Sequence, residues 1–550
     1  MAAHVETGTM AHPEQYSSKL LNHLGLVAGM YDELGIGDLI DLLIIQDGDK
    51  RTVSMGQAIK AMVLNGLGFT HRALYLTPLF FRDKPVDRLI GEGIEADHLN
   101  DDVLGRALDK IYQYGPEALY SQISTLTIKR LGLSNCFAHM DSTSFHVDGV
   151  YNSGGQAEEG VIHITKGYSR DHRPDLNQVV LQLICERQAG IPLMMETLSG
   201  NNSDKTSFRD MINAHIEQMR NDFNVEYLVA DSALYVSETL KDMQDVLWIS
   251  RVPETLTLAC DIIHEVAPDS MNNPAESACR SLGVVYGDVK QRWVVIYSPE
   301  ARQRVLKSVN KHCLKQGTVE FKAFDTLCKQ DFACETDARK ALALFEKKQK
   351  ITYVSDVQVT AYPRYQGKGR PVKGAEPDYY VYRIECGIAS NPEERRRRLE
   401  RKSCFILATN QLDCKVLSDE ELTIAYKDQQ KVERGFRFLK DPMFMASTVF
   451  LKSPKRIMAL MMVMTLCLLV YAALEYRIRG VLKANDTTFP DQKDEATIAP
   501  SARWVFQYFS GIHVLNIAQM QVLILNMNEN HTALLKLLGP EYEMLYSGYG

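Results

Sequence analysis

The stretch CFAHMDSTSF, residues 136–145, alternates apolar and polar side chains, the period of a half-buried β-strand. Downstream, NQVVLQLICE (177–186) is rich in β-branched residues. IPLMMETLSG (191–200) follows the turn signal Ala189-Gly190, so the two read as a hairpin. Ser203 or Asp204 can cap a helix running through Met211 and Ile216. EYLVADSALY (226–235) supplies a fourth strand ending at Asp231, and a helix through Leu240 leads to a short strand, VLWIS (246–250).

Upstream, residues 17 to about 132 read as helices, with apolar positions at helical spacing in SKLLNHLGLVAGMYDELGI, SMGQAIKAMVLNGLG and VLGRALDKIYQYG. Asn100 before Asp101 and Asp102 has the chemistry of an N-cap, and Gly115-Pro116 reads as one stop followed by a new start. Residues 256 to about 400 interrupt the core with strand-like runs (LGVVYGDVK, RWVVIYS, TYVSDVQVTAY, DYYVYRIECGIA) and with helical stretches such as TDARKALALFEKK. CFILATN (404–410) resumes the strand pattern. A helix from Asp419 is expected to run to about Leu439, stopped by Asp441-Pro442. An apolar segment, Ile457 to Leu474, a polar linker near 485–500 and a helical C-terminal region follow.

A chain of 550 residues exceeds what one core normally serves, and 45% hydrophobic with 24% charged residues is ordinary for a folded soluble protein. Eleven scattered cysteines without a CxxC pair suit a reducing compartment better than a zinc or disulfide framework. The N-terminus lacks the basic start and apolar run of a secretion signal, so a cytoplasmic location is expected. Ile457 to Leu474 approaches the length of a membrane span, yet it stands alone and contains Thr465, so a buried core helix is the expectation and no membrane partner is expected. The formal net charge of -7 and pI near 6.1 do not announce a nucleic-acid binder. Two segments are locally basic: Arg395 to Arg398 with Arg401 and Lys402, which taken alone reads as a solvated face, and Lys431 to Arg456, where seven basic residues meet two acidic ones.

Three strands, a helix, a fourth strand, more helix, a strand and then helices is the order expected of a ribonuclease H-like fold, in which the first and fourth strands are neighbours. Asp141 on the first and Asp231 at the end of the fourth would then lie side by side, with Glu433 reaching them from the later helix. Clustered carboxylates repel one another unless cations neutralise them, and hard oxygen ligands suit Mg2+ or Mn2+. Two such ions can activate an attacking hydroxyl and stabilise the leaving oxygen of an in-line displacement.

The helix AYKDQQKVERGFRFLKDP sharpens this reading. Tyr426, Glu433 and Lys440 fall seven residues apart, which on one continuous helix is one stripe, and flank a carboxylate with a phenol and an ammonium suited to phosphates. Tyr426-x2-Gln429-x3-Glu433-x6-Lys440 resembles the Y-x2-R-x3-E-x6-K signature of DDE transposases of the insertion sequence 4 superfamily; it departs from it at Gln429, where the signature has arginine, and Arg434 and Arg437 are candidates to compensate. MDSTSFH, GYSRDHRPDLNQ, LSGNNSDKTSF, LVADSALY, WISRVP and RGFRFLKDP are similar to the same superfamily, in its long branch with a helical N-terminal region, and the resemblance covers about residues 20 to 530.

The resemblance implies Asp141, Asp231 and Glu433 as catalytic metal ligands for two Mg2+ ions, with Mn2+ able to substitute. It implies Tyr426 and Lys440 as DNA contacts, and a β-rich insertion between the second aspartate and the glutamate. The expected activity is cut-and-paste transposition: binding of terminal inverted repeats, metal-dependent cleavage, and strand transfer into double-stranded target DNA, by a homodimer assembled on DNA in the bacterial nucleoid. Trp293, in the inserted RWVVIYS, is the candidate aromatic for receiving an unstacked base if second-strand cleavage passes through a hairpin. The expected organisation is a helical DNA-binding region (1–132), the core in two parts (133–255 and 401–480), the insertion (256–400) and a helical C-terminal region (481–550). A catalytically silent, domesticated DNA-binding protein with the same fold is the alternative. A phosphatase using Asp141 as nucleophile would need an aspartate two residues on, where Thr143 stands. His139 and His146, beside Asp141, read as packing residues, and Arg170, His172, Arg173 and Asp175 as a dense polar loop suited equally to touching DNA or to a structural ion-pair network.

Overall fold

The structure, a computed structural model, describes residues 16–45, 52–69, 73–134, 136–147, 151, 160–168, 173–202, 204–272, 279–366, 374–441, 451–517 and 521–548. The chain divides into two compact units: Met1–Ile249 with Glu421–Gly550, and the intervening Ser250–Glu420.

The first unit opens with a correction to the all-helical reading. Tyr16–Leu20 is a strand, β1, because it pairs antiparallel with His513–Ile517 near the other end of the chain. Helices α1 (Leu24–Glu33), α2 (Ile36–Leu43) and α3 (Met55–Leu67) follow, the last held by a capping box between Ser54 and Gln57. After the short α4 (Thr77–Phe81) and α5 (Val86–Leu89) comes α6 (Asp101–Tyr114), whose N-cap Asn100 accepts from Val103 N as its sequence predicts. Gly115 ends α6, and Pro116 begins α7 (Pro116–Leu131).

The strands of the core stand where their patterns place them: β2 (Phe137–His146), β3 (Gln178–Glu186) and β4 (Pro192–Ser199), then helix α8 (Asp204–Phe223), strand β5 (Tyr227–Ala230), helix α9 (Ser237–Asp242) and strand β6 (Leu247–Arg251). The β3–β4 hairpin turns at Gly190, whose φ of 77° is costly for any residue with a Cβ. The order across the sheet is β4-β3-β2-β5-β6. β2 is antiparallel to β3 and parallel to β5, so the first and fourth strands of the core are neighbours, as expected. β3 is buried along its whole length, which accounts for its near-continuous apolar run.

The second unit contains α10 (Thr257–Asn272), a hairpin of β7 (Cys279–Tyr286) and β8 (Val289–Tyr297), α11 (Pro299–Cys328), α12 (Glu335–Glu346), a long hairpin of β9 (Thr352–Arg364) and β10 (Tyr379–Ser390), α13 (Pro392–Ser403) and β11 (Cys404–Thr409). β8 lies between β11 and β7, and one face of the β9–β10 ribbon packs on α11 and α12 around Leu327, Phe332, Leu342 and Ile384. The expected β-rich insertion is therefore mixed. The 30-residue α11 escapes periodicity analysis because it is exposed on most sides and has no clear apolar stripe.

Returning to the first unit, α14 (Asp419–Lys427) and α15 (Gln430–Leu439) replace the single helix expected there. The apolar segment is α16 (Pro454–Ala484), and 94% of its most apolar window is buried, packed against α1, α3, α6, α7 and β4. It is a core helix. Among the described residues no other helix is long and apolar enough to cross a membrane. The linker carries a two-residue pair, β12 (Phe489–Pro490) with β13 (Ala496–Thr497), followed by α17 (Ala502–Tyr508). The C-terminal region is not all helical: β14 (His513–Ile517) and β15 (Gln521–Leu525) complete a sheet with β1 before α18 (Glu529–Leu538) and α19 (Pro540–Leu545). α19 closes onto α1, where Gly25 and Gly29 leave room for the rings of Tyr546 and Tyr542. A Cβ on either glycine would stand 2.5 or 2.7 Å from ring carbon.

Candidate active site

Met140 and Ala230 are register partners on the parallel strands β2 and β5, and the next residue on each chain is an aspartate, Asp141 and Asp231. Asp141 is buried, at 8% exposure, and its Oδ1 accepts from Ser142 N at 2.7 Å. Asp231 is half-buried just beyond the end of β5, and its Oδ1 accepts from Ala233 N at 2.8 Å. Placing two carboxylates at adjacent strand positions in a shielded setting costs free energy that a cation can offset.

Glu433 comes from α15, which packs on β2 through a face containing the buried Val432, Phe436 and Leu439. Glu433 itself is exposed. Among the described residues no three His, Cys, Asp or Glu side chains stand close enough to hold one ion, so the structure brings the aspartates to neighbouring positions and leaves Glu433 outside such a cluster. The single stripe expected for Tyr426, Glu433 and Lys440 is also interrupted. Between α14 and α15 the bonds Gln429 N to Tyr426 O, Lys431 N to Asp428 O and Val432 N to Gln429 O are of the tighter i to i−3 kind, which breaks the helical phase. Tyr426 therefore sits on the preceding helix, half-buried, while Lys440 is the C-cap of α15.

Lys440 keeps a direct relation to the aspartates. Its Nζ stands 5.9 Å from the centroid of the Phe145 ring, and Phe145 lies four residues along β2 from Asp141, on the same face of the strand. Arg437, one turn beyond Glu433, is exposed on the flank that leads to Lys440. Arg434 diverges from that flank: it lines a cavity of about 250 Å³ with Tyr471, Tyr476 and Arg479. Gln429, at the signature's arginine position, is buried at the start of α15, where its carbonyl accepts from Val432 N and Glu433 N.

A set of residues that the sequence did not single out fixes this helix. Arg187, just after β3, donates from Nε to Asp428 Oδ2 at 2.6 Å, in the break between α14 and α15. Lys431 Nζ donates to the Arg187 carbonyl at 2.7 Å. The Arg187 guanidinium also stands 5.0 Å from the Phe137 ring at the start of β2, and Phe137 stacks on Tyr227 at the start of β5. One arginine thus ties the helix carrying Glu433 to the strands carrying both aspartates. Its partners on the helix side, Asp428 and Lys431, lie 241 and 244 residues away in sequence, so no local pattern announces it.

The flanking histidine His139 is buried, and burial pushes its pKa down to about 4, so it is neutral at ordinary pH and acts as packing. His146 ends β2 at intermediate burial. Arg170 and His172 lie outside the described residues; Arg173 pairs with Asp175 at 2.8 Å, one of the two roles open to that loop. Trp293 requires a correction. The indole is fully buried on β8, between Ala408 of β11 and Leu282 of β7, and its Nε1 donates to Gln291 at 3.0 Å. With no exposed surface, the ring presents no face to a base in this structure and is placed as packing residues are.

The sheet order, the paired aspartates and the adjacent cationic helix together define a mixed α/β protein with an acidic site next to basic side chains. A family model described as Transposase DDE domain matches residues 135–470, more than half of the chain, and the chain belongs to that family. A second model, Domain of unknown function (DUF4277), matches residues 16–125. No curated protein matches this chain. Among solved structures, the cryo-EM structure of a piggyBac transposase synaptic complex with hairpin DNA aligns with 88% of this chain and 79% of its own, at 8% identity and a TM-score of 0.36, a likeness too loose to bear on the site.

Proposed function

We propose that this chain is the cut-and-paste transposase of a bacterial insertion sequence, of the insertion sequence 4 superfamily, working on double-stranded DNA with a ribonuclease H-like core. The observation that carries the reading is the pair Asp141 and Asp231 at adjacent positions of parallel strands, inside a chain that belongs to the Transposase DDE domain family. The strand order β4-β3-β2-β5-β6 supports the core assignment. Asp141 and Asp231, with Glu433 from α15, would hold Mg2+ or Mn2+, to which carboxylate oxygens are suited. Such ions, when bound, lower the pKa of an attacking water and neutralise the leaving oxygen.

The chain's own side chains position the substrate. Lys440, held above Phe145, would contact a phosphate beside the scissile one, and Arg437 and Tyr426 would extend that contact along the backbone. Arg187 and Asp428 tie α15 to the strands that carry both aspartates, and Glu433 would be presented to them from that anchored helix. The N-terminal helices would bind the inverted repeats, two protomers would assemble on the paired ends, and the protein would work in the cytoplasm at the nucleoid.

The test is a supercoiled plasmid carrying the DNA that flanks the gene. Matched inverted repeats should lie just outside the coding region, and the protein should nick at their ends with Mg2+ or Mn2+ and stop on chelation. Binding to those ends without nicking under any divalent ion would favour the silent, domesticated alternative instead.

A further inference from the structure

From Ala301 to Val319, α11 contains Arg302, Arg304, Lys307, Lys311 and Lys315 and no acidic residue, in a chain whose net charge is -7. Arg304, Lys307, Lys311, Lys315 and Lys322 recur at spacings of three, four, four and seven, which keeps them within one face of the helix over about 27 Å. All five are exposed. The four lysines make no ion pair among the described residues; of the nearby carboxylates, Glu320 is turned inward to accept from Lys350 N, Thr352 N and Thr352 Oγ1, and Asp325 pairs with Lys329 at 2.6 Å.

The neighbouring helices are built otherwise. On α12 Arg339 pairs with Glu335 and Lys340 with Asp337; on α13 Arg396 pairs with Glu393 and Arg398 with Glu394, all at i,i+3 or i,i+4. Those are solvated faces stabilised by alternating charge. Lys307 with Lys311, and Lys311 with Lys315, instead set like charges four apart, an arrangement that weakens a helix unless an external anion relieves it.

We infer that this face of α11 is a phosphate-tracking surface whose partner is the backbone of double-stranded DNA. A duplex presents a regular row of phosphates over the length of the stripe, and flexible lysines satisfy it without reading sequence. The stripe lies on the second unit, away in sequence from the residues proposed for catalysis, and gives an acidic protein a local means of holding DNA. The inference rests on the proposed function only in taking DNA as the partner.

The experiment compares binding to a random-sequence duplex of roughly three helical turns across a salt series. The protein would carry Lys307→Gln, Lys311→Gln, Lys315→Gln and Lys322→Gln together. The control carries Lys340→Gln, Lys347→Gln, Lys348→Gln and Lys350→Gln, the same change in net charge outside α11. The stripe variant should bind more weakly and lose about three to four from the slope of log K against log salt, while the control keeps the wild-type slope. Replacing the same four lysines by arginine should preserve the slope, and an unchanged circular dichroism spectrum shows that the helix persists. Equal slopes in stripe variant and control would overturn the inference alone; absence of duplex binding by the wild type would overturn the DNA reading with it.

Discussion

Asp141 and Asp231 each follow one member of a register pair, Met140 and Ala230, so the parallel pairing of β2 and β5 sets the two carboxylates at neighbouring positions. Backbone N–H groups of Ser142 and Ala233 then fix one oxygen of each. Asp231→Asn keeps that acceptor and removes the charge. It should abolish plasmid nicking in Mg2+ and Mn2+ while retaining end binding measured by gel shift. Normal nicking by the variant would remove Asp231 from the site.

Lys440 stands over the Phe145 ring at the C-cap of α15, outside the buried face of that helix, so its truncation should leave folding nearly intact. Lys440→Ala should slow cleavage and reduce the salt slope of end binding by about one phosphate contact. If neither moves, Lys440 only covers the Phe145 ring.

The Arg187–Asp428 pair is about three-quarters buried, which makes its loss costlier than that of a surface pair. Asp428→Ala should lower unfolding stability by about 1.5–3 kcal/mol, the range for hydrogen bonds to charged groups. It should reduce the turnover rate of nicking more than DNA affinity, because it loosens the helix bearing Glu433. Asp428→Asn, which keeps an acceptor for Arg187, should recover part of the rate. A loss of stability with unaltered turnover would make the pair structural alone.

Trp293→Ala should cost about 3–5 kcal/mol in denaturant unfolding, the range for removing a buried large aromatic. First-strand nicking and any later step should then fall together, in proportion to the folded fraction. Selective loss of a second step, in a variant as stable as the wild type, would contradict the packing assignment.

His23 provides a pH signature away from the acidic site. It is fully buried, stacked on Phe506 at 4.4 Å, with Nε2 against the Leu67 carbonyl, and burial lowers its pKa from 6.5 to about 4. Because the unfolded chain takes up this proton first, stability is complete above pH 6.5 and declines as pH falls from 6.5 to 4, by roughly 3 kcal/mol over that window. His23→Gln should flatten this part of the profile, measured as the urea midpoint between pH 4 and 7. An identical slope in the variant would assign the acid sensitivity elsewhere.

What was legible in the sequence was the part stabilised locally. The alternation of CFAHMDSTSF, the Asn100 cap and the Gly115-Pro116 stop each rest on neighbours a few residues away, and each element formed where its pattern put it. Legibility failed where distant partners decide. Tyr16–Leu20 has helix-compatible composition but is extended by its pairing with β14, and the partner of Asp428, within the break between α14 and α15, is a guanidinium 241 residues upstream. The paired aspartates could be anticipated from strand order, whereas the burial of Trp293 depends on β7 and β11 flanking β8, which no single-strand pattern encodes.

The pairing of β1 with β14 also bears on how the chain is made. Ser18 Oγ meets the His513 ring across 495 residues, and at ribosomal rates of about 5–20 residues per second β1 waits roughly 25–100 seconds for its partner to emerge. Throughout that interval the nascent chain carries an unpaired strand edge, and Gly25 and Gly29 of α1 face an empty seat until Tyr542 and Tyr546, more than 500 residues downstream, have been made. The region around α1 is thus a clasp fastened by residues more than 500 positions downstream, and a polypeptide cut short before Tyr542 loses packing at α1 as well as at α19.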